Sequence, residues 1–191
     1  MIEEWLIETP RLLLRPFQRS DAAEVARLCN DREVTKSTLS LPFPYPLAAA
    51  ESWIAGQPAH FDSGLCYEFA VTDRENGTLY GCVSLSRHAA HKNGELGYWI
   101  GQEYWNCGIA SEAAHALVDW AFAHGFHRVY ARHFASNPAS GRVMQKLGMA
   151  YEGTQREHML KDGHYEDIVL YGLLCDKWAG VLDNIPGMWY I

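Results

Sequence analysis

The feature that most limits how this chain can fold is a change of period at Gly108. Up to Ile100 the apolar residues alternate, as in Glu95–Ile100, the mark of a strand with one buried face. From Ile109 to Phe122 the period becomes about 3.6, with Ala113, Leu117, Trp120 and Ala121 on one side of a helix. Gly125 sits where a helix C-cap is expected, and Val129–Phe134 reads as another strand. A strand, a glycine turn, a long helix and a strand make a parallel crossover. All-β and all-α folds are thereby excluded.

The flanking segments fill in the rest. Thr9–Arg15 reads as a first strand opening at a proline. Ser20 is the expected cap of a helix with Asp21 and Glu24 in its first turn. Three prolines in Ser37–Pro46 forbid regular structure and predict an extended loop exposing Phe43 and Tyr45. Ala48–Phe61 predicts a second helix, kinked or ended near Pro58. Glu68–Thr72 and Leu79–Ser86 flank Asn76-Gly77 and predict a hairpin, because both turn residues tolerate positive φ. Asn137 and Pro138 open a shorter helix to Leu147, which Gly148 ends. Tyr151–Leu160 and Tyr165–Leu174 close the chain as a hairpin around Asp162-Gly163. The predicted order is β-α-α-β-β-β-α-β-α-β-β, a mixed α+β domain.

Composition removes several functions. The 191 residues suffice for one domain with a substantial core, and 48% hydrophobic with 20% charged residues excludes a disordered chain. A net charge of −7 opposes nucleic-acid binding and suits a cationic partner such as an amine. No apolar run is long enough to span a bilayer, and the acidic start around Glu3-Glu4 is unlike a signal peptide, so the expected location is cytoplasmic. Five scattered cysteines without a C-x-x-C pair read as reduced thiols. His88-x-x-His91 lacks a nearby third ligand and reads as loop, so no metal is expected.

The turn at Gly108 also carries chemistry. The first amides of a helix lack internal acceptors, and its dipole places about half a positive charge there. Gly108 and the small Ala110 allow an anion close to those amides. Equally, small residues at a helix start can serve packing alone. A Walker loop would need Gly-Lys-Ser/Thr, and a dinucleotide fingerprint three spaced glycines; neither is present.

Four segments in order break that tie. Thr9–Arg15 reads Thr-x-Arg-Leu-x-Leu-Arg, and Gly97–Ile100 reads Gly-Tyr-Trp-Ile. Tyr104–Ala113 reads Tyr-Trp-x-x-Gly-x-Ala-x-Glu-Ala, and Asn137–Gly148 reads Asn-x-x-Ser-x-Arg-Val-x-x-Lys-Leu-Gly. Together they resemble the GNAT superfamily of N-acetyltransferases, most of all its branch that acetylates ribosomal-protein N-termini. The likeness spans residues 9–178 and leaves 179–191 as a tail.

The resemblance implies a mostly antiparallel sheet of six to seven strands with a splayed parallel pair, flanked by about four helices. It implies acetyl-CoA as cosubstrate, with backbone groups of Tyr98, Trp99 and Ile100 meeting the pantetheine. Amides of Asn106, Cys107, Gly108, Ile109, Ala110 and Ser111 would hold the pyrophosphate. Asn137 would bond the pantetheine, and Arg142 with Lys146 the adenosine phosphate. Ser140 would lie by the sulfur as acid, a role many relatives give to a tyrosine where this chain has Met144. Glu95 is the expected base, with Asp167 and Glu68 behind it. The acceptor would be a protein N-terminus or a small amine such as a polyamine or aminoglycoside. A non-catalytic acyl-CoA-binding module is the reading from another class. Dimers are frequent in that branch, so a homodimer is the expected assembly.

Overall fold

The computed structural model describes residues 5–178. The acidic start at residues 1–4 and the tail 179–191 lie outside them. Eight strands form one sheet: β1 (Ile7–Glu8), β2 (Leu12–Pro16), β3 (Cys66–Asp73), β4 (Leu79–His88), β5 (Asn93–Ile100), β6 (Arg128–Phe134), β7 (Ala150–Lys161) and β8 (His164–Leu174). Their spatial order is β1-β2-β3-β4-β5-β6-β8-β7. Five helices flank it: α1 (Ala22–Cys29), α2 (Arg32–Lys36), α3 (Leu47–Ser63), α4 (Ile109–Ala123) and α5 (Pro138–Lys146). The mixed class and the crossover are as expected; the counts exceed expectation by β1 and α2, each too short to leave a period in the sequence.

Each face of the sheet carries its own core. Phe69, Val83, Leu85, Leu96, Val129 and Ala131 pack under α4 with Ala113, Leu117 and Ala121. On the other face Ala70 and Cys82 meet Val25 and Leu28 of α1 and Ala50 and Ile54 of α3. Burial of this kind, at roughly 25 cal/mol per Å² of apolar surface, dominates the stabilisation of the layers.

Three local expectations change, and one is sharpened. Ser20 lies in a short 3-10 turn, and Asp21 accepts from the Gln18 amide and the Arg15 guanidinium, so the aspartate organises this start. α3 spans Pro58, as its expected range Ala48–Phe61 does, continues past it and is capped by Gly64, whose φ is 64°. Ala50 and Ile54 before the proline and Phe61 beyond it pack against the sheet, which offsets the lost Ile54 hydrogen bond. In the β3–β4 turn only Gly77 has positive φ; the Asp73 carboxylate folds the turn by accepting from the Glu75 and Asn76 amides. Tyr45 is buried rather than exposed, while Phe43 stays out under the Arg32 guanidinium at 4.5 Å.

Candidate active site

The parallel pair is where the sheet opens. β5 and β6 stay in register only from Asn93↔Arg128 to Leu96↔Ala131, although β5 continues to Ile100 and β6 to Phe134. Backbone direction along β5 follows from its other neighbour. The Gly101 amide donates to Tyr80 of the β4 edge, and alternation gives Trp99 to β4 as well. Tyr98 and Ile100 therefore aim their backbone polar groups into the gap. The Ile100 carbonyl accepts from the Trp105 indole at 2.7 Å.

One cavity of about 430 Å³ fills the gap on the α4–α5 side. Asn106 and Gly108, at φ 61° and 76°, turn the chain so that successive amides converge at the start of α4. No side chain caps that helix. The first bond back into the loop is Glu112 N–H to the Gly108 carbonyl, and every backbone amide from Asn106 through Ser111 lacks an acceptor among the described residues. This cradle of orphan donors is what a pyrophosphate requires. Ile109 is buried in the core and Cys107 is exposed, so these two can offer the cradle little beyond backbone. Arg142 and Lys146 of α5 line the same cavity.

A second cavity of about 440 Å³ opens on the α3 side, with Trp53, Glu68, Ser84, Glu95, Arg132 and Met159 among its lining. The two share Ser37, Thr38, Tyr98, Trp99 and Ser140. At this junction the Tyr98 hydroxyl lies 2.8 Å from Ser140 Oγ and 2.9 Å from the Ser140 carbonyl oxygen. With one proton, Tyr98 can donate to either. When it donates to Oγ, the serine hydrogen is free to point into the cavity. Burial pushes the Tyr98 phenol well above its ordinary range, opposed by the Ser140 bond, so it stays protonated.

Asn137 caps α5 by accepting from the Ser140 amide at 3.3 Å and donates to the Ser37 carbonyl at 3.1 Å. It thus aims Ser140 and fastens the 37–46 loop over the junction. That loop is tied again where Lys161 donates to the Leu41 carbonyl at 3.0 Å.

A profile of the acetyltransferase (GNAT) domain matches residues 11–150. The chain belongs to the GNAT acetyltransferase family. It is 30% identical over 171 residues to the uncharacterized N-acetyltransferase YoaA of Bacillus subtilis (strain 168), covering 88% of this chain and 96% of that one. It is 29% identical over 123 residues to the ribosomal protein uS5-alanine N-acetyltransferase of Escherichia coli (strain K12), covering 61% of each. The crystal structure of a GNAT-family acetyltransferase from Bacillus anthracis matches with a TM-score of 0.80 and 26% identity, covering 90% of this chain and 99% of that chain.

Within this GNAT domain the carboxylates are placed unequally. Glu95 accepts from Arg132 Nε at 2.8 Å and Nη2 at 3.1 Å, and from the Tyr130 hydroxyl at 3.3 Å. Glu68 accepts from the Trp53 indole at 3.3 Å and faces His60 Nδ1 at 3.2 Å. His60 is half exposed and leads from Glu68 to solvent. Asp167 accepts from the Glu157 amide at 2.7 Å, holding a bulge of β7 where Glu157 has φ 45°. The structure brings together Tyr98, Ile100, Ser140, Asn137 and the Asn106–Ser111 loop, whereas the Trp99 backbone, expected to meet the pantetheine, is taken up by β4 and only its side chain lines the gap.

It also shows three parts that sequence reasoning left out. Tyr98 places its hydroxyl, and not only its backbone, at the junction of the two cavities. Arg132 stands in the second cavity. Glu112, 1% exposed, accepts from the Thr9 hydroxyl, the Arg11 amide and the Arg11 guanidinium, while Arg11 Nη1 donates to the Cys107 carbonyl at 3.0 Å. The signal for this last link was present: Thr9, Arg11 and Glu112 all belong to the recognised motifs. Among the described residues no group of three or more His, Cys, Asp or Glu is arranged for a metal, and no helix is long and apolar enough to cross a membrane.

Proposed function

We propose that this N-acetyltransferase moves the acetyl group of acetyl-CoA to the N-terminal α-amine of a protein or peptide, by direct attack in a ternary complex. The observation that carries the reading is the meeting of two cavities at the Tyr98–Ser140 hydrogen bond, one of them ending in the amide cradle. The coenzyme lies along the first cavity. Its pyrophosphate takes the amides of Asn106–Ser111, its pantetheine meets Tyr98 and Ile100, and Arg142 serves the adenosine phosphate. The acceptor enters through the second cavity.

Only a neutral amine attacks a thioester. An α-amine of pKa about 8 is roughly one-tenth neutral at pH 7, whereas a lysine-like alkyl amine of pKa above 10 is neutral in under one part in a thousand. The α-amine therefore needs one modest base. Taking a proton on Glu95 would give up its Arg132 pair, whereas Glu68 has His60 behind it as an exit to solvent. Glu68 is our assignment for the base. Nitrogen attacks the carbonyl carbon, an amine proton passes to Glu68, and the C–S bond breaks as the oxyanion collapses. The Ile100 or Tyr98 amide stabilises that oxyanion, and the Ser140 hydroxyl donates to the departing sulfur with Tyr98 donating behind it. The relative named for uS5 alanine supports the N-terminal reading. The five free cysteines support a reducing, cytoplasmic setting. The homodimer rests on the family resemblance alone.

Acetyl-CoA turnover against N-terminal peptides, polyamines and aminoglycosides tests the acceptor. Peptides should lead, with kcat/KM rising with pH toward about 8 and levelling above it, as the α-amine loses its proton. Coenzyme binding without turnover of any amine would support a binding module instead. Ser140→Ala should lower kcat on the order of 100-fold while acetyl-CoA affinity stays near wild type; unchanged turnover sinks the role of Ser140. Glu68→Gln should cost on the order of 100-fold in kcat/KM for peptides, and Glu95→Gln clearly less. The reverse ranking returns the base to Glu95.

A further inference from the structure

The floor of the acceptor cavity is one face of the sheet. Register sets Glu68 beside Ser84 on β3 and β4, and Ser86 beside Glu95 beside Tyr130 across β4, β5 and β6. Such a floor suits a cationic amine. The lining nevertheless holds one arginine, Arg132, and no lysine. Placed there, a guanidinium repels an ammonium unless it serves another part of the acceptor.

What Arg132 has left to offer is defined by its bonds. A guanidinium carries five N–H donors. Arg132 directs Nε and one Nη2 hydrogen to Glu95, which orients the fork side-on. Both Nη1 hydrogens and the second Nη2 hydrogen meet no acceptor among the described residues. The side chain is 29% exposed and lines the cavity. Its backbone position is the first on β6 beyond the last paired residue, Ala131, so it stands at the mouth of the gap across from Gly97. Donors held there face whatever is attached to the attacking nitrogen.

We propose that Arg132 is a specificity-determining residue that reads a carbonyl oxygen on the carbon next to the acceptor amine. The substrate class is then an α-aminoacyl group, as at a peptide N-terminus or in an amino-acid amide. A carbonyl oxygen can accept from the free Nη hydrogens, whereas a simple alkylamine supplies no acceptor and a polyamine presents a second cation that Arg132 repels. Glu95 on this account is a positioning residue that holds the fork. The inference deepens the N-terminal reading above and rests on it.

The test compares kcat/KM for an alanine-initiated peptide and alaninamide with that for isopropylamine, each expressed per concentration of neutral amine. Wild type should favour the carbonyl-bearing acceptors by on the order of 100-fold. Arg132→Lys keeps a cation for Glu95 but loses the fork, and should cut that preference at least tenfold. The double change Arg132→Gln with Glu95→Gln removes both charges together and should do the same. A merely structural Arg132 would slow all acceptors alike and leave the ratio unmoved, which overturns the proposal. Wild-type turnover of peptide and isopropylamine at equal rates also overturns it, while the N-terminal reading stands. Turnover of isopropylamine without any peptide or amide overturns both.

Discussion

Replacing Arg11 with alanine is expected to lower the melting temperature by roughly 6–20 °C and to weaken acetyl-CoA binding in the same protein. The reason lies in where its partner sits. Glu112 points inward from the first turn of α4 and is 1% exposed, while Arg11 on the approach to β2 is 34% exposed. Removing the arginine leaves a buried carboxylate without its cation, a change that costs about 3–5 kcal/mol. For a domain of this size each kcal/mol moves the midpoint by about 2–4 °C. The coenzyme effect arises because Arg11 Nη1 also holds the Cys107 carbonyl, which fixes the loop between Asn106 and Gly108. Differential scanning calorimetry and acetyl-CoA titration read the two effects separately. Arg11→Lys keeps the cation but not the fork, so it should recover part of the stability and little of the loop order. A wild-type melting temperature in Arg11→Ala would show that the buried pair contributes nothing.

Replacing Gly108 with leucine is the second large change, with the opposite balance. The residue caps α4 at φ 76°, where a side chain costs roughly 1–2 kcal/mol of backbone strain. The domain core is untouched, so the fold should survive with a lowered midpoint. Binding should not. The leucine would project beside the amides of Ile109–Ser111, and losing even two hydrogen bonds to a charged group costs about 3–6 kcal/mol. Acetyl-CoA affinity is therefore expected to fall by on the order of 100-fold or more in a calorimetric titration. Wild-type affinity in a folded Gly108→Leu protein would remove the cradle as the pyrophosphate site.

Much of this is legible in the amino-acid sequence. The period change at Gly108 and the glycine at the end of α4 declared a strand, a helix and a crossover, because regular elements that bury one face must repeat with their own geometry. Asn137 and Pro138 declared the start of α5, since capping is a local interaction. The elements the sequence does not show are short ones. β1, with two residues, and α2, with five, are too short to show a period. The helix expected over Ala48–Phe61 does span Pro58, and packing on both sides of the proline settles that it continues rather than ends there.

The site divides in the same way. The half proposed for the coenzyme rests on backbone turned by Gly108 and on a cap at Asn137, features that act within a few residues and so appear as motifs. Its acceptor half joins residues far apart in the chain. Glu68 meets His60 and Trp53, Glu95 meets Arg132, and the 37–46 loop is tied down by Asn137 and Lys161. Glu95 could be picked out as a carboxylate beside the gap, but its ion pair with a residue 37 positions later could not.

By itself, then, the amino-acid sequence determined the mixed fold, the family resemblance and the glycine turn into α4, because hydrophobic period, glycine turns and helix caps are short-range physics. Tertiary structure alone decided that Glu95 pairs with Arg132 while Glu68 meets Trp53 and His60, that the Tyr98 hydroxyl bonds Ser140, and that Thr9, Arg11 and Glu112 tie down the loop at Cys107. Those outcomes depend on which side chains the sheet and its crossover bring within hydrogen-bond distance, and no local pattern encodes that distance.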